Sequence, residues 1–342
     1  MIPRLRRGSV AGLLLLAGPL SAAPFVAYIG NVPVHSPSPD AAIMVHDAAT
    51  GATANVSEGL WSARSPAWSP DGTKLAFEAI EQGLNDIFVC ASDGSGRVNS
   101  TQSPDVWESS PALVDANRLV YLAGPDRTDL WLLDLATGAK TKLTEKPAFH
   151  GRPVVSPDGK LIAIVASEKL AGPGDILSID VGSREVSNLT QAPALYSPPA
   201  FWPNGQNIAF CFDGREIGGA TRGLAVMPVA GGEPKLLADD GYPLAPLSFS
   251  PDGARIAYSS AEAYHNTWVT LINADGSGKQ RLDVSPAHII GWPSFSPDGK
   301  SLAFQAVYAA RYTDRLTDLA TGEMKFITPE GKTGVNPVFS PR

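Results

Sequence analysis

The sequence predicts an all-β protein, a β-propeller of seven four-stranded antiparallel blades closed by the two ends of the chain. Three observations predict it: a phrase recurs with a nearly constant period, each period holds four strand patterns, and the chain ends carry complementary parts of one further period. Repeats of about 40 to 50 residues built from short strands are typical of propellers. A six-bladed ring is the alternative.

The recurring phrase is Pro-x-Phe/Trp-Ser-Pro-Asp-Gly, followed by a short apolar run. Its Asp or Asn returns every 43 to 48 residues, at Asp71, Asp115, Asp158, Asn204, Asp252 and Asp298. Pro presets φ, Asp bonds the backbone ahead of it and Gly accepts a positive φ, so Ser-Pro-Asp-Gly reverses the chain at little cost. We therefore interpret these Asp residues as turn residues and not as catalytic carboxylates.

One repeat, at 66–101, shows the four strands. A short strand precedes the turn, an alternating apolar segment at 74–79 follows it, and strands at 86–91 and 97–101 flank a second Gly-containing turn. Similar complete units cover 110–144, 153–190, 199–238, 246–283 and 293–328. In four units an acid opens the third strand, and we expect its side chain to hydrogen-bond the backbone between strands. These acids are Asp86, Asp129, Asp175 and Asp314.

The two ends of the chain supply the seventh blade. Residues 25–57 carry the patterns of the last three strands of a unit, and 336–341 repeats the first strand. Joining them in one sheet closes the ring and removes the edges that an open array would expose. The repeats therefore predict a single propeller domain over 24–342.

Residues 1–23 have the pattern of a secretory signal peptide. Three Arg residues precede an apolar run of 11 residues from Val10 to Leu20, and small residues follow at 21–23. That run is shorter than the roughly 20 residues that a membrane span needs. We therefore expect a periplasmic or secreted protein that does not span the membrane.

Composition narrows the range of partners. The formal net charge is −7, and loss of the three N-terminal Arg residues makes the remaining chain more acidic. Without a basic stripe to neutralise phosphates, nucleic acid is excluded as a partner. The two cysteines, Cys90 and Cys211, fall in blades three steps apart, which is too far for a disulfide, so both are predicted to be free. The protein is expected to be a monomer.

The repeats resemble those of the TolB-type propellers, whose blades carry the same Pro-x-Trp-Ser-Pro-Asp-Gly phrase and then an Ile-Ala-Phe-like strand. Here the matching residues run from Pro66 to Gly72 and from Lys74 to Phe77, and later copies extend the resemblance over nearly all of the chain after residue 23. TolB itself carries an α/β domain before a six-bladed propeller, whereas these repeats start directly after the apolar segment. The resemblance implies a propeller of the cell envelope that binds proteins or, in some members, processes sugars.

Candidate binding residues precede the opening Pro of each repeat, in the connections that cross from one blade to the next. Such connections reach the mouth of the central channel, and binding residues often occupy variable loops on a rigid scaffold. Large and charged side chains recur there: Trp61, Arg64, Trp107, Glu108, Phe149, His150, Arg152, Tyr196, Tyr242, His288 and Trp292. They are predicted to form a partner site of aromatic anchors with polar neighbours. The alternative is that the aromatic side chains pack between blades.

No catalytic residue, metal or cofactor is predicted. The sequence lacks the G-x-S-x-G and H-E-x-x-H motifs and any phosphate-binding loop, and no third ligand accompanies His265 and His288 on their shared face. The favoured function is a non-catalytic scaffold that binds a protein or peptide of the cell envelope. The alternative is a propeller-type polysaccharide lyase or glycoside hydrolase acting on an oligosaccharide, with candidate residues His150, Arg152, Tyr196, Tyr242, His265 and His288.

Overall fold

The computed structural model describes residues 25–31, 40–124, 129–144, 149–169, 172–240, 246–263, 266–282, 290–308, 311–330 and 332–341. Within these ranges the chain forms thirty strands and no helix, and so contains no helix that could cross a membrane. The strands make seven antiparallel sheets, one for each blade. The predicted seven-bladed all-β propeller is confirmed, and the six-bladed alternative is wrong. The predicted signal peptide at 1–23 lies outside the described residues.

Each blade has four strand positions, with the first bordering the central channel and the fourth forming the outer edge. Blade 1 begins with β1 (Phe25–Gly30), β2 (Ala42–Asp47) and β3 (Thr53–Asn55). Blade 2 contains β4 (Trp61–Trp68), β5 (Lys74–Ile80), β6 (Asn85–Ala91) and β7 (Val98–Asn99). Blade 3 contains β8 (Glu108–Leu113), β9 (Arg118–Ala123), β10 (Asp129–Asp134) and β11 (Lys140–Lys142).

In blades 4 and 5 two short strands share the innermost position. Blade 4 contains β12 (Phe149–His150), β13 (Val154–Val155), β14 (Leu161–Ser167), β15 (Gly174–Asp180) and β16 (Val186–Asn188). Blade 5 contains β17 (Leu195–Tyr196), β18 (Ala200–Phe201), β19 (Asn207–Ile217), β20 (Ala220–Pro228) and β21 (Lys235–Ala238). Blade 6 contains β22 (Ser248–Phe249), β23 (Arg255–Ala263), β24 (Asn266–Asn273) and β25 (Gln280–Arg281). Blade 7 contains β26 (Ile290–Phe295), β27 (Ser301–Tyr308), β28 (Arg311–Asp318) and β29 (Met324–Phe326).

The last strand, β30 (Gly334–Phe339), completes blade 1 by pairing antiparallel with β1. Val26 lies opposite Phe339, and beyond the paired strands Ser340 N donates to Phe25 O at 2.8 Å. From blade 2, Trp68 Nε1 donates to Val338 O at 3.1 Å. The closure predicted from the two chain ends is therefore confirmed.

The core lies between neighbouring blades and is filled from equivalent positions. The fourth residue of each second strand is at most 1% exposed, and these residues are Tyr28, Phe77, Tyr121, Ile164, Phe210, Tyr258 and Phe304. Each cluster joins adjacent sheets, as where Ile43 and Val45 of blade 1 pack with Leu75 and Phe77 of blade 2. Cys90 and Cys211 are buried in separate clusters and neither forms a disulfide, as predicted.

The inner strands begin earlier than the sequence predicts. β4 starts five residues before Pro66, in a segment that the sequence assigns to a crossover connection. Its pairing with β5 shifts register twice, and Ser65 adopts a φ of 55°. A non-glycine residue at positive φ is uncommon. The resulting bulges interrupt the alternation that would otherwise mark a strand in the sequence.

The Ser-Pro-Asp-Gly turns are held by their own side chains. In blade 6, Ser250 Oγ donates to Asp252 Oδ1 at 2.6 Å and accepts a bond from Arg255 N at 2.9 Å. The hydrogen bond from Ser250 lowers the pKa of Asp252. Asp298 in blade 7 makes the same bond with Ser296 at 2.7 Å. The structural interpretation of these acids is confirmed.

Asp314 occupies a position that is apolar in other blades. In six third strands one residue accepts a backbone bond from the residue that directly follows the fourth strand, and these acceptors are Ile43, Ile87, Leu130, Ile176, Val269 and Asp314. Asp86 and Asp175 lie one position earlier and accept backbone bonds from Ser103 N and Ala192 N, as expected. Asp129 instead pairs with Lys142 at 2.9 Å. Grouping Asp314 with these acids is therefore wrong, because its side chain points into the core.

The Asp314 carboxyl is fully buried at the junction of blades 7 and 1. Thr328 Oγ1 donates to its Oδ2 at 3.5 Å, and Oδ1 has no hydrogen-bond partner among the described residues. Burial raises the pKa of Asp314 well above its ordinary value. Gly334 passes directly over this group, since a Cβ there would lie 2.3 Å from Asp314 Oδ2. A position that is aliphatic in five other blades thus holds a buried carboxyl beneath a glycine, and burial favours the neutral form of that carboxyl.

Replacing Asp314 by Asn should remove one component of the pH dependence of stability. Because the pKa of Asp314 is higher in the folded than in the unfolded protein, its stabilising contribution is complete below about pH 4 and is lost as pH rises through the folded pKa. Each unit of raised pKa corresponds to about 1.4 kcal/mol. Urea unfolding between pH 4 and 8 should show this decline in the wild type and a smaller one in Asp314→Asn. Parallel curves for the wild type and Asp314→Asn would contradict the assignment.

Replacing turn glycines by Ala should cost more in blade 6 than in blade 7. Gly253 and Gly299 have φ values of 69° and 68°, and forcing an L-residue into that region costs about 1–2 kcal/mol. At Gly253 the added Cβ would also lie 2.8 Å from Trp202 Nε1, whereas at Gly299 its nearest contact is Pro251 Cδ at 3.3 Å. Denaturant unfolding should therefore give a lower free energy of unfolding for Gly253→Ala than for Gly299→Ala. Equal losses would show that Trp202 moves aside freely.

Candidate functional site

A cavity of about 520 Å³ occupies the centre of the ring. All seven blades border it through the residue that follows the opening Pro or its equivalent, namely Ala67, Ala112, Val154, Ala200, Ser248, Ser294 and Val338. These side chains are half-buried, whereas the preceding residue in each blade is buried. The buried Pro or Leu that precedes each of them borders the cavity as well.

Arg152 is the one charged residue that borders the cavity among the residues described. Its Nη2 donates to Pro66 O at 2.6 Å, so it links blade 4 to blade 2 past the intervening blade 3. Burial lowers the pKa of Arg152, and the nearby Glu78 carboxylate opposes that shift. A guanidinium nevertheless stays protonated in proteins. The channel wall therefore carries one fixed positive charge.

Glu78 lies between two arginines on the same side of the ring. It is 3% exposed, and its Oε1 lies 3.4 Å from Arg64 Nε in the pairing of β4 with β5. Its Oε2 accepts a bond from Ser110 N of blade 3 at 2.9 Å. The one carboxylate thus faces the positive charges of both Arg64 and Arg152. This group carries a surplus positive charge.

The start of β4 is shaped to place Arg64. Ser62 and Ser65 have φ values of 52° and 55°, and the register shifts on either side of Arg64. Arg64 donates from Nη2 to Ser62 Oγ and from Nε to Ser62 O at 3.2 Å. Three residues before it, Trp61 is 68% exposed. Backbone strain of this kind is common at binding sites, and each such residue costs of order 1–3 kcal/mol.

In two blades, a residue with positive φ donates a backbone hydrogen bond to a polar side chain of the preceding blade. Ser110 and Asn336 directly precede repeat Pro residues and have φ values of 53° and 57°. Ser110 N donates to Glu78, and Asn336 N donates to Gln305 Oε1 at 3.4 Å. This interaction does not follow from the repeat phrase. Its one sequence signal is a polar residue directly after the buried aromatic residue of the second strand, as in Phe77-Glu78.

The predicted site residues divide into several groups. Trp61, Arg64 and Arg152 belong to the cluster just described, and Trp292, with a φ of 52°, also borders the cavity. Trp107 is half-buried, and Phe149 and His150 form β12. Tyr242 and His288 lie outside the described residues, as does His265.

Glu108 and Tyr196 are buried within the framework. Glu108 is 1% exposed, and its Oε1 accepts a bond from Ser103 Oγ at 2.8 Å and lies 3.6 Å from Lys140 Nζ. Burial raises the pKa of Glu108, while its hydroxyl bonds and Lys140 oppose that shift. Tyr196 donates to Ala192 O at 2.7 Å, and its ring packs edge-on against Phe210. At 1% and 8% exposure, Glu108 and Tyr196 offer little surface to a partner.

Within the described ranges no group of three or more His, Cys, Asp or Glu residues could hold a metal ion. The cluster of Arg64, Glu78 and Arg152 offers guanidinium donors and a shared carboxylate, which are groups that can bind charged and polar ligands.

No family model matches the chain. Its fold is similar to that of TolB from Acinetobacter baumannii, with 20% identity and a TM-score of 0.61 over 94% of this chain and 67% of that one. It is also similar to an oligogalacturonate lyase in complex with manganese, with 15% identity and a TM-score of 0.61 over 82% of each chain. A puromycin hydrolase gives 14% identity and a TM-score of 0.70 over 90% of this chain, which spans about half (53%) of that protein. These likenesses establish the TolB-like propeller fold.

Two substitutions at Glu78 should distinguish the contribution of its bond to Ser110 N from the contribution of its charge to stability. Gln can still accept the bond from Ser110 N, as Gln305 does from Asn336 N, so Glu78→Gln should fold with a small loss of stability. Glu78→Leu leaves that N–H without its acceptor, which costs about 1–3 kcal/mol. Denaturant unfolding of both variants measures the difference. A Leu variant as stable as the Gln variant would show that this bond does not hold Ser110 in place.

Proposed function

We propose that this protein is a non-catalytic binding scaffold that captures a protein or peptide of the cell envelope at one mouth of its central channel. The observation that carries the proposal is Trp61, an indole that is 68% exposed at the start of a strained strand beside the Arg64–Glu78 pair. Exposed Trp and Arg side chains are the residue types that most often dominate interface energies. The mouth is defined here by Trp61, Arg64, Glu78, Arg152 and Trp292.

The rigidity of the mouth supports a binding role. Arg64 is fixed by Ser62 and Glu78, and Arg152 is fixed by Pro66 O. Side chains that are already ordered lose less conformational entropy when a partner binds, so more of the contact energy appears as affinity. A ring of seven sheets holds both arginines on separate blades, which keeps their spacing constant.

The proposed location is the periplasm or the extracellular space. Two observations support it: the signal-peptide pattern at 1–23 and the structural likeness to TolB proteins. The segment from 24 to 342 would then act as a single propeller domain, and as a monomer.

A lyase or hydrolase acting on an oligosaccharide is the second candidate function. The likeness to an oligogalacturonate lyase, which spans 82% of both chains, favours it. The walls of the cavity favour it less, because they consist largely of Pro, Ala and Val, whereas a bound sugar needs hydrogen-bond partners for its hydroxyl groups. Cleavage of oligosaccharides by the purified protein, lost on replacing Arg152, would support this second candidate.

Truncating Trp61 should weaken partner binding without lowering stability. Its side chain is largely exposed, so Trp61→Ala removes little core packing, but loss of a Trp hot spot costs about 2 kcal/mol or more of binding energy. Immobilised wild type should retain an envelope protein that Trp61→Ala does not, while both variants melt at the same temperature.

The matched control for this capture experiment is Val98→Ala. Val98 is 55% exposed on the outer strand β7, far along the blade from the channel. It should retain the partner at the wild-type level. If Trp61→Ala retains the partner as well as Val98→Ala does, the mouth is not the binding surface.

A further inference from the structure

We infer that the partner inserts a peptide into the channel and presents a carboxylate to Arg152, either a C-terminal carboxylate or an Asp or Glu side chain. This ligand class rests on the proposed function, because it concerns the same mouth. Three features of the channel lead to it: the charge balance, the geometry of the guanidinium and the chemistry of the walls.

The charge balance favours an anion. Arg64 and Arg152 contribute two positive charges, and Glu78 supplies one negative charge within the same group. Both oxygens of Glu78 are already engaged, one by Arg64 and one by Ser110 N, so it acts on Arg152 through charge alone. No other charged residue borders the cavity in the described part of the chain. A cleft lined by one sign of charge with low-dielectric walls attracts ligands of the opposite charge.

The guanidinium of Arg152 is placed to bind a carboxylate. It is half-buried at the cavity wall, and its Nη2 bond to Pro66 O fixes its orientation. A guanidinium has five N–H donors in a planar fork that matches the two oxygens of a carboxylate. Charge-assisted bonds of this kind are roughly twice as strong as neutral ones. Burial of the group strengthens the interaction further by reducing solvent screening.

The walls select a peptide over a sugar or a free inorganic anion. Pro, Ala and Val side chains dominate the cavity lining, and Trp292 borders the cavity from blade 7. Apolar walls of this kind accept the aliphatic or aromatic side chains of an extended peptide, and they leave sugar hydroxyl groups without partners. A cavity of about 520 Å³ lies within the range of about 300–1,000 Å³ that suits a bound ligand of a few residues.

The test uses purified protein and synthetic random hexapeptide libraries in four forms. The C-terminus is either a free acid or an amide, and the mixture either contains or omits Asp and Glu. Peptides retained on the immobilised protein are identified by mass spectrometry, and the affinities of the best binders are measured by calorimetry. Retention of free-acid peptides without Asp or Glu identifies a C-terminal carboxylate, and retention of amidated peptides that contain them identifies an acidic side chain.

The variants are Arg152→Gln and the matched control Arg97→Gln. Arg97 also donates to backbone carbonyls across blades, to Val56 O at 2.9 Å and Glu58 O at 3.0 Å, but it does not border the cavity. For a selected peptide, Arg152→Gln should weaken binding roughly ten- to hundredfold, as expected for loss of a charged hydrogen-bond partner. Arg97→Gln should bind as the wild type does. Arg152→Lys, which keeps the charge, should fall between them.

The outcomes separate this inference from the proposed function. Binding of peptides that have neither a free terminus nor an acidic residue, unaffected by Arg152→Gln, would overturn the carboxylate inference and leave peptide binding intact. Retention of no peptide from any library, although the protein still captures a folded envelope protein, would also overturn it. If neither peptide nor protein binds, the proposed function itself fails. If Arg152→Gln does not fold, binding of free-acid and amidated peptides to the wild-type protein is compared, and this comparison tests whether a carboxylate is required.

Discussion

The pairing of β30 with β1 is the constraint on which the rest of the molecule depends. It joins residues from opposite ends of the chain, and it converts seven sheets in a row into a ring without open edges. Only in a closed ring do the seven inner strands face one another across a common channel. The bond from Trp68 Nε1 to Val338 O ties this closing strand to the next blade, so the sheet pairing and the interblade packing support each other.

Closure brings the seven inner strands close together around the channel axis. The residues of the repeat at that point fit the limited space. A small residue faces the channel in every blade, and the buried Pro or Leu before it borders the same cavity. In four blades the residue directly before the repeat Pro has a positive φ, and these residues are Ser65, Ser110, Trp292 and Asn336. Where a polar side chain of the previous blade accepts a bond from the strained amide, as Glu78 and Gln305 do, part of the cost of strain is offset. Glu78 therefore serves the fold and also sets the charge of the mouth.

The sequence predicts the parts of this molecule that repeat. The turn phrase predicts six blades and the Ser-Pro-Asp-Gly hydrogen bonds, and the matching patterns at the two chain ends predict the seventh blade and the closing strand, because each depends on local chemistry that recurs in register. It does not predict the early start of β4, since bulges at Ser62 and Ser65 break the strand alternation. It also does not predict the grouping of Arg64, Glu78 and Arg152, which come from β4, from β5 and from the connection between β12 and β13. Burial decides the role of Glu108 and Tyr196, and their sequence neighbours do not reveal it.

Asp314 shows how closure and local chemistry become linked. The position is Ile, Leu or Val in five other blades, but here it lies beneath the closing strand. Any side chain at Gly334 would collide with Asp314 Oδ2 and Thr328 Oγ1, which lie 2.3 and 2.4 Å from the site of a Cβ. A carboxyl is shorter than an isoleucine side chain, and a glycine lets the closing strand approach it closely. The two residues therefore form one unit: a larger residue at either position requires that β30 move outward, which would disturb the pairing with β1 that holds the ring together.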